Sequence, residues 1–213
     1  MTIRSPRRRT LAAAATLIAA ALATLVARGE PASAEPTVPI EQRIDAVAHV
    51  ARLGQDIEVR GGSFRGTVDL GTGAVVGDLS LPPASTFVNL VGLVPAARAT
   101  FVMEPIGPAA GHVDLAGGTF SVTSTFDIHV PEIDPLGLGL ANLSTPTCKT
   151  STPITVTMSG PFNLDGASTF TGTFTIPPFQ GCGLATTALN LLAPGPGNTF
   201  TATATPVEAA PAA

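Results

Sequence analysis

The side chains able to do covalent or acid–base chemistry are few: two cysteines, three histidines and fifteen acids in 213 residues. Cys148 follows a Thr/Pro-rich stretch, and Cys182 sits between Gly181 and Gly183. A nucleophilic thiol needs a base beside it, and no Cys/His signature surrounds either residue. Two cysteines and three scattered histidines also make no recognisable zinc spacing. In an oxidising compartment the default is one disulfide between Cys148 and Cys182, worth about 4 kcal/mol on the chain-entropy model.

Histidine and aspartate occur as two close pairs, His112-Val113-Asp114 and Asp127-Ile128-His129. Residues i and i+2 of a strand share a face, which is how a sheet presents two metal-binding or acid–base groups together. A two-residue turn at Gly117-Gly118 would set Asp114 opposite Ser121 and His112 opposite Thr123, with Val113 facing Val122 and Leu115 facing Phe120. All four polar residues then lie on one wet face, but the pairs stand roughly 13 Å apart, too far for one coordination shell. The expectation is solvated charge, with no metal and no cofactor. There is no G-x-S-x-G elbow; Gly62-Ser63-Phe64-Arg65-Gly66 has the wrong spacing and belongs to a hairpin. No phosphate-cradling glycine pattern opens a helix after a strand.

Export is written at the N-terminus. Arg4, Arg7, Arg8 and Arg9 precede the apolar run from Leu11 to Val26, and Ala32-Ser33-Ala34 supplies a cleavage site. Residues 1–34 therefore read as a signal peptide, 35–205 as a secreted β domain and 206–213 as a flexible tail. Net charge is −4 for the chain and −8 without residues 1–34, which hold five Arg and one Glu. An acidic chain with one lysine has no electrostatic footprint for nucleic acid or anionic lipid. With no Trp and no Tyr, it lacks the rings that stack on carbohydrate and that girdle transmembrane barrels.

Period-two alternation dominates beyond the signal peptide. Thr169 to Ile176 places Thr on one face and Phe, Gly and Ile on the other. Phe120 to Val130, Thr199 to Thr205 and Ile154 to Met158 repeat the pattern, as antiparallel strands with one wet side do. Their Thr-x-Thr arrays could form a water-ordering or ice-binding grid, although β propensity explains threonine on a solvated face. Gly66 to Gly73 and Gly111 to Gly118 share the pattern G-x-V-D-L-x-x-G, which reads as two similar hairpins. Ile44 to Val50 leans to strand over helix. Val130 to Pro153 reads as a long loop carrying Cys148. Gly183 to Leu192 reads as a two-turn helix laying Leu184, Ala188, Leu189 and Leu192 on the sheet, stopped by Pro194.

The blocks LPPASTF, CKTSTPITVTMSG, FTGTFTIPPFQGCG and ALNLLAPGPGNTF resemble a family of secreted actinobacterial proteins of unknown function. The resemblance covers most of the chain after residue 34. It implies export and the Cys148–Cys182 disulfide, and it implies no catalytic residues. The expected fold is all-β: a single-domain antiparallel sandwich or partly closed barrel with one short C-terminal helix. The expected role is that of a non-enzymatic extracellular or cell-envelope protein acting by binding or structural association. A barrel form could carry a lipid or other apolar small molecule. The alternative is a secreted hydrolase with a dispersed His/Asp/Ser site.

Overall fold

Strands that bury every second side chain must pair, and in this chain they pair until no edge remains in the central sheet. The computed structural model describes residues 36–90, 94–163 and 166–207; the signal peptide expected over residues 1–34 lies outside them. The strands are β1 (Thr37–Val50), β2 (Gln55–Asp69), β3 (Ala74–Ser80), β4 (Ala84–Leu90), β5 (Val94–Pro105) and β6 (Ala109–Asp114). They continue as β7 (Thr119–Pro135), β8 (Lys149–Thr150), β9 (Ile154–Pro161), β10 (Ser168–Ile176), β11 (Phe179–Gln180) and β12 (Gly195–Pro206). One helix, α1 (Thr186–Leu192), follows a 3₁₀ turn at Gly183–Ala185.

The strand order β7-β6-β3-β2-β1-β12-β10-β9 returns to β7 through Thr119↔Pro161 to Phe126↔Ile154, closing an antiparallel eight-stranded barrel. Of the two all-β architectures expected, the chain adopts the barrel. Strand β7 outruns it. From Phe126 onward its partners are β5, which carries β4, and at His129 the short β8, which carries β11. The loop expected from Val130 to Pro153 therefore starts only after Pro135. Val130 and Ile133 are buried and their segment still finds a strand partner.

Inside the barrel, Phe64, Phe120, Phe170, Phe174 and Phe200 are all buried. Outside, β1 and β2 carry the Glu41–Arg65 and Glu58–Arg60 ion pairs. The Thr-x-Thr arrays do assemble: Thr157 stands between Thr123 and Thr173, and Thr173 lies opposite Thr199. The Thr123 and Thr157 hydroxyls bond at 2.8 Å, and those of Thr125 and Thr155 at 3.1 Å. A barrel wall curves, so this grid is not the flat plane that matching an ice face requires.

The two G-x-V-D-L-x-x-G hairpins have the same geometry, but not the turn expected. Asp114 faces Thr119 and His112 faces Ser121, a shift of two residues that keeps the paired strand residues on their expected faces but moves Leu115, expected opposite Phe120, into the turn, where it is exposed. The reason is Asp114, whose Oδ1 accepts the Ala116 and Gly117 amides and so holds a four-residue turn. Asp69 does the same for Gly71 and Thr72. The first glycine of the motif meets a different demand. A Cβ on Gly111 would lie 2.0 Å from the Ser121 carbonyl oxygen, whereas one on Gly118, at φ +63°, would touch nothing. Gly111→Ala should thus cost about 3 kcal/mol through overpacking and Gly118→Ala about 1–2 kcal/mol through backbone strain. Urea midpoints of the two variants measure this, and equal losses would contradict the assignment.

Candidate functional site

The cysteines are joined. Cys148 and Cys182 form a disulfide, both with no exposed surface, and no free cysteine remains among the described residues. The bond fastens a cap over one end of the barrel. Thr147 Oγ1 donates to the Gly181 carbonyl at 3.0 Å, and Thr145 Oγ1 donates to the same oxygen. Asn190 of α1 treats Phe179 as a strand would: its Oδ1 accepts the Phe179 amide at 2.6 Å and its Nδ2 donates to the Phe179 carbonyl at 2.9 Å. Asn198, fully buried, accepts the Ala51 amide and donates to the Phe174 and Gly195 carbonyls, tying the β1–β2 turn to the start of β12. Neither asparagine was singled out in the sequence. Their only signal is a polar amide inside apolar or Pro/Gly surroundings. Of the leucines expected to rest on the sheet, Leu189 is buried, but Leu184 is 89% exposed and Ala188 is exposed. The 3₁₀ start points Ala185 inward instead.

The His/Asp pairs are not brought together. His112 lies beside Ser121, and Asp127 is six residues further along β7, roughly 20 Å away at strand spacing. Asp114 is taken by its turn. Asp127, expected on the wet face, is instead 7% exposed because β8 lies over it. Its Oδ2 accepts from Lys149 Nζ at 2.8 Å, and its Oδ1 accepts from Thr150 Oγ1 at 3.4 Å. His129 Nε2 stands 2.7 Å from Glu104 Oε2 without hydrogen-bond geometry, and His49 Nδ1 contacts Asp56 at 2.7 Å. The three histidines occupy three separate places. Among the described residues no hydroxyl bonds to any of them, and no cluster of three His, Cys, Asp or Glu could hold a metal. The hydrogen bond from Lys149 to Asp127, the carboxylate's charge and that of nearby Glu104 raise the ammonium pKa above its ordinary 10.5.

What the barrel offers chemically is its interior. One cavity of about 50 Å³ lies in it, and a second of similar volume lies at its capped end, between barrel strands, β5 and the cap. The first, away from the cap, is lined by Ile40, Ile44, Phe64, Phe120, Met158 and Phe170, with the Gln42 amide and Ser168 as its polar groups. The Ser168 hydroxyl is engaged by the Asn163 backbone at 2.9 Å. The second, under the cap, is lined by Leu53, Phe101, Met103, Ile128, Phe179 and Ala193. Phe200 borders both. The polarity of the wall, apolar inside and hydroxyl or charged outside, is the reverse of a membrane-spanning barrel. No helix among the described residues is long and apolar enough to cross a membrane.

Replacing both cysteines by serine should lower stability by about 4 kcal/mol, read as a urea midpoint, since the 34-residue separation sets the entropy released. Because the folded-state pKa of Lys149 is raised, its contribution is full below about 10.5 and is lost as pH rises through the raised value. Asp127→Asn should flatten that alkaline decline in melting temperature. No protein-family model, curated protein or solved structure matches the chain.

Proposed function

We propose that this is an exported, non-enzymatic barrel that binds a slender apolar molecule, an unbranched acyl chain with a polar end, in its interior. The observation that carries the reading is the pair of apolar cavities on either side of Phe200. Interiors are ordinarily packed without voids larger than a water, and small barrels hold a single ligand in this position. Each void alone is far below the roughly 300 Å³ of an ordinary ligand site. Two narrow voids separated by one ring suit a chain that threads past that ring, and not a bulky fused-ring ligand.

The occupant's polar end has one candidate partner. Gln42 lines the first cavity, is half-buried, and follows the inward register of Ile44 and Ala46. The flexible Met158 and Met103, one in each cavity, can repack around a guest. Export is supported by the basic and apolar leader and by a disulfide, which persists in oxidising compartments. The resemblance of the blocks around Cys148 and Cys182 to secreted actinobacterial proteins is in keeping with both.

Native mass spectrometry of protein taken from its own culture medium, followed by titration with saturated fatty acids of increasing length, tests the reading. Binding should strengthen with chain length until both cavities are filled. Phe200→Ala should bind a given chain more tightly while lowering stability by about 3–5 kcal/mol. Absence of any co-purifying or added acyl chain on correctly folded protein sinks the proposal.

A further inference from the structure

We propose that the first cavity seats the polar end of the bound chain, that this end is uncharged, and that Gln42 holds it. The barrel then selects an acyl ester over a free fatty-acid anion. This class of head rests on the acyl-binding reading and adds what the size of the cavities does not decide. The direction of the chain follows from the two linings. Every described side chain around the second cavity is aliphatic, phenylalanine or methionine. An ester group buried there would leave its oxygens unbonded, which disfavours it. The methyl end of the chain therefore belongs under the cap.

Strand β1 draws the path residue by residue. Its inward row runs Ile40, Gln42 and Ile44 along the first cavity, then Ala46, then Ala48 and Val50 along the second. Gln42 is the one polar member of that row, six residues from Ala48 and so roughly 20 Å from it at strand spacing. Across the ladders it stands opposite Phe64 of β2 and Pro206 of β12. Ser168, the other polar side chain of the first lining, is already committed. Its hydroxyl accepts the Asn163 amide at 2.9 Å and turns towards the Asn163 carbonyl at 3.5 Å. The Gln42 amide is half-buried and bonds to no other described residue. Its two N–H donors and its oxygen are free for a ligand.

A carboxylate beside Gln42 would find no cation. None of the described residues lining either cavity is Lys, Arg or His. Arg43 and Arg65, the chain neighbours of Gln42 and Phe64, stand on the outer face. There Asp45 meets Arg43 at 3.6 Å and Glu41 meets Arg65 at 2.7 Å. Strands β9, β10 and β12, which complete the wall of the first cavity, carry no charged residue. Asp78 of β3 is exposed on the outside and adds negative charge. Taking an unpaired carboxylate out of water opposes binding. An ester has little hydration to lose, and its carbonyl oxygen accepts from Gln42 Nε2.

Equilibrium dialysis of the folded protein against radiolabelled methyl decanoate and decanoate, equal in chain length, tests this at about pH 8, where the acid is ionised. The ester should bind at least about tenfold more tightly than the anion. Any apolar pocket favours an ester to some degree, so variants of Gln42 carry the assignment. Gln42→Glu keeps the shape but loses the donor, and should weaken the ester about tenfold. Gln42→Arg should strengthen the anion by about as much. Melting temperatures certify the fold, and Gln42→Glu is decisive by itself if Gln42→Arg does not fold. The head assignment is overturned if the anion binds as tightly as the ester, or if Gln42→Glu leaves the ester's affinity unchanged. Both of those outcomes leave acyl binding standing. If neither probe binds the folded protein, the acyl-binding reading falls and the head assignment with it.

Discussion

The structure depends on the closure of β7 against β9. Without the pairing from Thr119↔Pro161 to Phe126↔Ile154, the sheet would be open, with two long edges ready to pair with other chains. Closing it at eight strands sets an interior that side chains can just fill. That constraint explains why phenylalanine supplies so much of the inward face, and why Gly111 must stay small where β6 and β7 crowd each other. It also makes β7 a shared element. Phe126 pairs with Ile154 on one side and Pro105 on the other, and beyond it the same strand carries the β4–β5 hairpin and the base of the cap.

Closure sorts the chemistry by side. Groups that titrate lie outside, in ion pairs such as Arg65–Glu41 or under the short β8. Groups facing inward are apolar, with the Gln42 and Asn198 amides as exceptions and buried Ser124 and Ser168 as small ones. A site for acid–base catalysis would have to be assembled on the outer wall, where the three histidines are dispersed. A site for apolar binding is already inside. The functional reading follows the side of the wall on which unfilled space remains.

The cap shows how a weakly structured segment is held. Its pieces are short: two residues in β8, two in β11, and seven in α1. None would be stable alone. The Cys148–Cys182 bond and Asn190, acting as a surrogate strand, fasten them together. The loop from Leu136 to Thr147 leans on the same fastening, so that loop and the floor of the second cavity are parts of one tied assembly.

Much of this was legible in the residues themselves. Alternation named the strands because burial on one face imposes a period of two on any half-buried strand. The cysteines were paired because two cysteines in a chain read as exported, with no base beside either, leave a disulfide as the default. Aspartate in G-x-V-D-L-x-x-G announced a hairpin, but not its turn length. Two-residue and four-residue turns put the same side chains on the same faces, so polarity cannot distinguish them, and the Asp114 hydrogen bonds decide. Sandwich or barrel, the extent of β7, the covering of Asp127 by β8 and the place of Phe200 between two voids were left to tertiary structure. Each depends on which distant strands meet, and side-chain periodicity within one strand carries no record of its neighbours.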